Sequence, residues 1–172
     1  MKSLRLAAGC VALLLAAATA SAQQTIFLVR HAERADAAPP AGGTMTAPST
    51  DPPLSTAGHE RAAHLATMLR SANVKYIFAT EFLRTRQTAA PLAQARHLET
   101  VSIPGNEPDA LLTKLRGLKG SIVIVGHSNS VPDILKRLGV KEEITIAETE
   151  FDNLFVIVRP EAGEPTLVRL RY

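Results

Sequence analysis

Short apolar runs alternate with amphipathic stretches along this chain, and the alternation predicts strands separated by helices. The runs within Ile26–Arg30, Lys75–Thr80 and Ser121–Gly126 are almost continuously apolar, as is typical of strands buried on both faces of a parallel sheet. Apolar residues recur at helical spacing near 62–69 and 131–138. The pattern therefore predicts one α/β domain with a mostly parallel sheet.

Weaker patterns complete the predicted sheet and one long connection. Thr100–Ile103 is predicted to be a short edge strand, and Phe155–Arg159 with Thr166–Arg171 is predicted to form a closing hairpin around 161–164. The stretch Ala35–Pro53 is rich in Pro, Gly, Ala, Ser and Thr. It is predicted to be a long loop, and long loops inside compact domains usually have a functional role.

Polar residues and prolines indicate where the helices begin and end. Ser55 is predicted to cap the helix that carries the first helical pattern. Pro91 predicts a kink or a break within the helix at about 81–95. Asn106 is predicted to cap a further helix, with Asp109 completing a capping box three positions later.

The N-terminus has the pattern of a secretory signal peptide. A basic start, Met1–Arg5, precedes the apolar stretch Leu6–Ala18 and the small residues Ala20–Ala22. The apolar stretch is too short for a stable membrane anchor. We therefore expect cleavage of residues 1–22, leaving a domain at 23–172 that is periplasmic or secreted.

Removal of this segment would change the net charge and the cysteine content of the domain. The chain has 19 basic and 16 acidic residues, so loss of Lys2 and Arg5 leaves a net charge of +1. A nearly neutral domain does not indicate nucleic-acid binding. Cys10, the only cysteine, lies in the predicted signal peptide. We therefore expect neither a disulfide nor a thiol nucleophile in the exported domain.

Polar residues follow three of the predicted strands. Arg30 and His31 end the first, Arg84 comes shortly after the second, and His127 directly follows the third. Carboxyl ends of parallel strands meet at one edge of a sheet, where such folds bind ligands. Guanidinium groups bind phosphate and imidazoles titrate near neutral pH. Each histidine alone would be interpreted as polar surface, but the four residues together predict a phosphate site.

Four motifs resemble those of a known family. Arg30–Ala32 is similar to the Arg-His-Gly signature of the histidine phosphatase superfamily, with alanine in place of glycine. Leu83–Ala89 resembles the second arginine motif, Gly126–Ser128 the second histidine motif, and Leu54–Gly58 the entry to the first helix. The resemblance implies a three-layer, phosphoglycerate mutase-like fold with helices on both faces of the sheet.

The resemblance also implies roles for individual residues. His31 would be the nucleophile and become a phosphohistidine that water then hydrolyses. Arg30, Arg84 and His127 would hold the phosphoryl oxygens during the transfer. Arg34 corresponds to an additional phosphate-binding arginine in the acid phosphatase and phytase branch. No metal or other cofactor is implied, since the sequence has no ligand cluster with suitable spacing.

The proton donor is the part of the family pattern that this chain does not match. The acid phosphatase branch has an aspartate where this chain has Ser128. The mutase-like branch takes its acid from the segment before the second histidine, where Glu107 is the first candidate and Asp109 the second. Glu33 is a third candidate, with pairing to an arginine as its structural alternative, and a chain without a dedicated acid is a fourth possibility. Asn129 is assigned to substrate binding, or else shapes the turn before its helix.

These features predict an exported phosphomonoesterase that acts on a small phosphorylated metabolite or a cell-envelope phosphosugar. The run Arg30–Arg34 is similar to that of phosphatases acting on heptose phosphates of the lipopolysaccharide core. Mutase activity is disfavoured because export separates the enzyme from cytoplasmic phosphoglycerates. Two alternatives stay open: a phosphate- or phosphosugar-binding protein without turnover, and, if the leader is not used, a protein-phosphohistidine phosphatase.

Overall fold

Six strands and four helices make up the described part of the chain, which is residues 23–36 and 50–172 of a computed structural model. The predicted signal peptide and most of the predicted loop at 35–53 lie outside the described residues. In chain order the elements are β1 Gln24–Arg30, α1 Thr56–Met68, β2 Val74–Thr80, α2 Leu83–Arg96, β3 Thr100–Ile103, α3 Pro108–Leu115, β4 Gly120–Gly126, α4 Ser130–Arg137, β5 Asn153–Arg159 and β6 Thr166–Arg171.

The strands form one mixed sheet in the order β3-β2-β4-β1-β5-β6. Strands β1 to β4 pair in parallel, whereas β5 is antiparallel to both β1 and β6. The predicted edge strand and closing hairpin are therefore confirmed. In the β1–β4 register Arg30 lies opposite Gly126. This register brings the first histidine motif and the second histidine motif to the same point of the sheet.

Alternate residues of each central strand pack on opposite faces of the sheet. Ile26 and Ile124 belong to the cluster under α3 and α4, while Val29 and Val125 belong to the cluster under α1 and α2. All four side chains are at most 2% exposed. The continuous apolar runs thus have the two-sided burial that predicts a parallel sheet, and the three-layer α/β architecture is confirmed.

Helix α1 begins where the sequence predicts and lies close to the segment that follows β1. The side chain of Ser55 accepts a hydrogen bond from the backbone N–H of Gly58 at 3.1 Å, and the Ser55 N–H donates to the Glu33 carbonyl at 2.9 Å. A Cβ on Gly58 would lie 2.2 Å from that carbonyl oxygen. Only glycine permits this approach, which anchors the residues just after His31.

Two predicted helix features differ in the structure. Helix α2 continues through Pro91 without a break, because Ala89 and Leu92 pack it against the sheet on both sides of the proline. The predicted capping box at Asn106 is wrong. Helix α3 begins at Pro108, a residue suited to a first helical position, so Glu107 is the N-cap residue and its side chain makes no capping bond.

Within residues 23–36 and 50–172, no helix has both the length and the apolar character needed to span a membrane.

Candidate active site

A cleft of about 580 Å³ opens at the carboxyl ends of β1, β2 and β4. It is lined by six of the seven residues that the sequence predicts for the site: Arg30, His31, Arg34, Arg84, His127 and Asn129. Parallel pairing accounts for this convergence, because the ends of all three strands meet at one sheet edge. The seventh predicted residue, Glu107, lies elsewhere.

His31 is buried at the base of the cleft and its ring orientation is set by the backbone. The side chain is 3% exposed, and its backbone N–H donates to the Gly126 carbonyl at 2.9 Å. Ring nitrogen Nδ1 lies 2.8 Å from the Ala32 carbonyl oxygen. A carbonyl oxygen only accepts, so Nδ1 carries the hydrogen and Nε2 keeps a lone pair. Nε2 is therefore the nitrogen available for nucleophilic attack.

The surroundings of His31 also keep the ring neutral. Burial lowers the pKa of His31 to about 3, although the hydrogen bond to the Ala32 carbonyl opposes the change. The nearby charges of Arg30 and Arg84 act in the same direction as burial. At neutral pH the imidazole is unprotonated and has the lone pair that a nucleophile requires.

Arg30 is held by the segment that precedes β5. Its Nη1 donates to the carbonyl oxygens of Ala147, Glu148 and Glu150 at 2.9, 3.0 and 3.1 Å. Its Nη2 donates to Oε2 of Glu148 at 2.9 Å, and the guanidinium lies 4.2 Å from the centroid of the Phe151 ring. The side chain is 4% exposed. The orientation of this arginine thus depends on residues more than a hundred positions away in the chain.

Arg84 is compensated at the N-terminus of α2 by a carboxylate from another segment. Both side-chain oxygens of Asp51 accept from the Leu83 N–H, at 2.9 and 3.0 Å. Asp51 also lies 3.5 Å from Nη1 of Arg84. A cation in the first turn of a helix is disfavoured by the helix dipole, and the carboxylate offsets this effect. The guanidinium additionally packs over the Phe82 ring at 4.3 Å.

Both arginines have a buried donor without a partner. The Nε atoms of Arg30 and Arg84 are buried and have no hydrogen-bond partner among the described residues. An unpaired buried N–H is costly, and a charged one more so. Both side chains line the cleft that contains His31. The two guanidinium groups place positive charge with unused donor capacity beside His31, which suits a phosphoryl group.

His127 faces His31 across the cleft, with ring centroids 5.3 Å apart. Its Nε2 lies 2.9 Å from Oγ1 of Thr80, which leaves Nδ1 for a ligand. Burial, followed by the charge of Arg84, lowers the pKa of His127 to about 4, against the opposing charge of Glu81. The contact with Thr80, the last residue of β2, is a feature of the site that sequence reasoning missed.

Arg34 and Asn129, the predicted substrate-binding residues, lie at the rim of the cleft. Arg34 is 38% exposed and forms an ion pair of 3.1 Å with Asp36. Asn129 is the N-cap residue of α4, but its side chain makes no capping hydrogen bond. Arg34 pairs with a nearby residue of its own segment and Asn129 does not cap its helix. Their assignment to substrate binding stays a prediction.

The first two candidate proton donors are not among the residues that line the cleft. Glu107 lines a small apolar cavity between α3 and α4. Asp109 is an exposed residue whose Oδ1 lies 2.6 Å from Nη1 of Arg137. Glu107 is the N-cap residue of α3, and its cavity shares Gly105 with the cleft that contains His31. The assignment of Glu107, with Asp109 as the second candidate, stays a prediction.

Glu33, the third candidate, has a structural partner. Nε of Arg61 donates to both Glu33 carboxylate oxygens at 2.9 Å, and Nη2 lies 2.6 Å from Oε1. Burial alone would raise the pKa of Glu33, but the hydrogen bonds from Arg61 outweigh burial and hold that pKa below its usual value. The predicted structural alternative, pairing with an arginine, is confirmed.

Two carboxylates that sequence reasoning missed do line the cleft. Glu81 directly follows β2, so its place at the strand end was available as a signal. Glu148 lies in the segment between α4 and β5, which has no periodic pattern and gave no signal.

Of the residues that the structure describes, no three histidines, cysteines or acids form a group able to hold a metal ion.

Comparison with protein families agrees with the motifs. A family model described as the histidine phosphatase superfamily, branch 1, matches residues 26–105. This span includes the first histidine motif, the second arginine motif, most of β1 and all of β2 and β3. By sequence the chain matches no curated protein.

Solved structures with similar folds span most of the chain. The candidate phosphohistidine phosphatase SixA of Agrobacterium tumefaciens is 20% identical, with a TM-score of 0.62, covering 86% of this chain and 98% of SixA. A phosphoserine phosphatase of Entamoeba histolytica, bound to 3-phosphoglyceric acid, is 16% identical, with a TM-score of 0.63 and coverage of 87% and 97%. A mycobacterial glucosyl-3-phosphoglycerate phosphatase is 13% identical, with a TM-score of 0.60 and coverage of 84% and 97%. These likenesses show a shared fold.

Proposed function

We propose that this chain, which matches the histidine phosphatase superfamily model over residues 26–105 and shares its fold with the candidate phosphatase SixA, hydrolyses phosphate monoesters through a phosphohistidine at His31. One observation carries the proposal. A buried, neutral imidazole with Nδ1 held by a carbonyl lines the same cleft as two buried guanidinium groups whose Nε donors are unpaired. This combination supplies a nucleophile and the charge that a phosphoryl group requires.

The proposed reaction has two steps. Nε2 of His31 attacks phosphorus, the bond to the leaving oxygen breaks, and a phosphohistidine forms. Arg30, Arg84 and Nδ1 of His127 stabilise the three remaining phosphoryl oxygens. In this proposal the two arginines supply the positive charge that a metal ion provides in other phosphoryl-transfer enzymes. Water then attacks phosphorus, the P–N bond breaks, and phosphate leaves with His31 restored.

The proposed substrate is a small phosphorylated metabolite or a cell-envelope phosphosugar, encountered in the periplasm or outside the cell. Export is inferred from the signal-peptide pattern in residues 1–22. The rim of the cleft carries the short polar side chains of Asn106, Ser128 and Asn129. Such groups hydrogen-bond to hydroxyl groups, which suits a sugar phosphate more than an apolar ester.

A protein-phosphohistidine substrate is the second candidate. The structural likeness to SixA, named as a candidate phosphohistidine phosphatase, favours it. It requires that the protein meets phosphorylated proteins inside the cell. Identification of the N-terminal residue in cell fractions separates the candidates, because a mature protein beginning at Gln23 in the periplasm excludes the cytoplasmic role.

The test combines turnover with direct detection of the intermediate. The purified protein is incubated with para-nitrophenyl phosphate in the presence of a chelator, alongside His31→Ala and the control His64→Ala, which alters an exposed histidine of α1. We expect hydrolysis and an acid-labile, alkali-stable phosphoprotein in the wild type and in His64→Ala only. Turnover by His31→Ala would contradict the mechanism. Phosphate binding without a phosphoprotein would instead support a binding protein without turnover.

A further inference from the structure

The proposed reaction requires a proton at the leaving oxygen, and none of the predicted donors is among the residues that line the cleft. An alkoxide is a poor leaving group, so a positioned acid typically contributes about 10²–10⁴-fold to such a reaction. Among the described residues, the carboxylates that line the cleft are those of Glu81 and Glu148. We therefore compare these two carboxylates as proton donors.

Glu148 has an exposed side chain whose two carboxylate oxygens are both held. Its side chain is 82% exposed. Oε1 accepts from the hydroxyl of Ser128 at 3.0 Å, and Oε2 accepts from Nη2 of Arg30 at 2.9 Å. Ser128 directly follows His127, and Arg30 directly precedes His31. The carboxylate is thus bound to the chain neighbours of both site histidines.

The contact with Arg30 places this carboxylate beside the proposed phosphoryl position. Nη2 and Nε belong to one planar guanidinium, and Nε is the unpaired donor that faces no protein acceptor. A phosphoryl group bound by this guanidinium would therefore lie next to the carboxylate bound through Nη2. We propose that Glu148 is the catalytic acid of the reaction, an assignment that rests on the proposed phosphatase function.

The protons and electrons balance in both steps. As Nε2 of His31 bonds to phosphorus, the electron pair of the P–O ester bond moves to the leaving oxygen. Protonated Glu148 gives that oxygen its proton, and the alcohol departs. In the second step the Glu148 carboxylate accepts a proton from the attacking water, while the P–N electron pair returns to His31. The products are the alcohol and phosphate, and Glu148 is again protonated.

The charges around Glu148 differ between the free and the substrate-bound protein. In the free protein the hydrogen bond from Ser128 and the charges of Arg30 and Arg34 hold the pKa of Glu148 below its usual value. A phosphoryl anion bound to Arg30 competes for the same guanidinium and adds a like charge beside the carboxylate. Both effects raise the pKa of Glu148 and favour the protonated form that the proposed role requires.

The carboxylate of Glu81 is hydrogen-bonded to the protein backbone. Its Oε2 accepts from the backbone N–H of Gly105 at 2.7 Å, which directs the carboxylate toward the turn after β3. This hydrogen bond connects Glu81 to the protein scaffold and to none of the phosphate-binding donors. Glu148 is therefore the better placed of the two carboxylates.

Leaving-group dependence tests the assignment. Hydrolysis rates are measured on an alkyl phosphate and on 2,4-dinitrophenyl phosphate for the wild type, Glu148→Gln and Glu81→Gln. The control is Glu143→Gln, which changes an exposed glutamate of the same segment as Glu148. We expect Glu148→Gln to lose about 100-fold or more in kcat/KM on the alkyl ester. Dinitrophenolate leaves without a proton, so we expect a loss below about threefold on the aryl ester. Glu143→Gln should match the wild type on both.

The same experiment separates the acid role from mere orientation of Arg30. Equal losses on both esters would mean that Glu148 only positions the arginine, and would overturn the assignment. A loss confined to the alkyl ester in Glu81→Gln, with Glu148→Gln unaffected, would overturn it in favour of Glu81. Absence of phosphohistidine in the wild type would instead overturn the proposed function itself, and the labelling experiment detects that outcome separately.

Discussion

Two clefts among the described residues lie at opposite ends of the sheet and are similar in size, and one of these two has the groups that phosphate chemistry needs. The cleft at the carboxyl ends of β1, β2 and β4 measures about 580 Å³, and the cleft at the amino end measures about 540 Å³. Both are polar and both are lined by arginines. Neither size nor the presence of cations distinguishes them.

Two of the three arginines of the amino-end cleft, Arg137 and Arg159, are paired with other side chains. Arg137 bonds to Asp133 at 2.7 Å and to Asp109 at 2.6 Å, with 36% of its side chain exposed. Arg159 donates to Oε1 of Gln24 at 2.7 Å. An anion arriving here would have to displace carboxylates or compete with water for these groups, so the gain in free energy would be small.

The arginines of the carboxyl-end cleft differ in burial and in their unpaired donors. Arg30 and Arg84 are 4% and 12% exposed, and each has a buried Nε without a protein acceptor. Charge in a site with little water acts on a bound anion far more strongly than charge at the surface. The comparison shows that desolvated, unsatisfied donors beside a nucleophile define this site.

The largest expected difference between the clefts is in turnover. Arg84→Ala should lower kcat on para-nitrophenyl phosphate about 100- to 1,000-fold, because it removes one donor to the charge that develops in the transition state. Arg159→Ala, the matched change in the amino-end cleft, should leave kcat within about twofold. Inorganic phosphate should also raise the melting temperature of Arg159→Ala as in the wild type and have no such effect on Arg84→Ala. Equal losses for the two variants would contradict the distinction.

The pH dependence of stability is the second expected difference, because only the carboxyl-end cleft contains buried histidines. His31 and His127 have pKa values lowered to about 3 and about 4 in the folded protein. The unfolded chain therefore binds more protons below about pH 6.5, and stability falls as the pH falls from there toward 4. Each histidine adds at most about 1.4 kcal/mol per pH unit to this slope.

Urea unfolding at pH 7 and at pH 4.5 measures this slope. We expect His31→Asn to lose less stability between the two pH values than the wild type, and the control His64→Asn to behave like the wild type. A wild-type slope that His31→Asn leaves unchanged would mean that His31 is not held neutral by the fold.

The smallest expected effect concerns the exposed pair near the amino-end cleft. Asp109→Asn removes an ion pair whose carboxylate is 83% exposed, so the free energy of unfolding should change by less than about 1 kcal/mol. Turnover of alkyl and aryl phosphates should remain equal to that of the wild type. A loss restricted to the alkyl ester would return Asp109 to the position of proton donor that the sequence first allowed.

Much of the site could be predicted because the strands themselves position it. A strand buried on both faces appears in the sequence as a continuous apolar run. The polar residue that ends such a run lies at the end of the strand, where the ends of neighbouring strands meet. Arg30, His31 and His127 were identified in this way, and the register of β1 with β4 brings them together. Arg84 was identified because a cation in the first turn of a helix needs an explanation.

The sequence by itself thus determined the sheet, the helices, the three site residues at the strand ends and Arg84 in the first turn of α2, since local patterns of apolar and polar residues encode each of them. Only the tertiary structure decided which carboxylates reach the cleft and which donors stay unpaired. Glu148 lies 118 positions from Arg30, in a segment without periodic pattern, and it lines the cleft although Glu107 and Asp109 do not. Contacts between distant segments depend on how the layers pack, and packing geometry has no signature in the order of neighbouring residues.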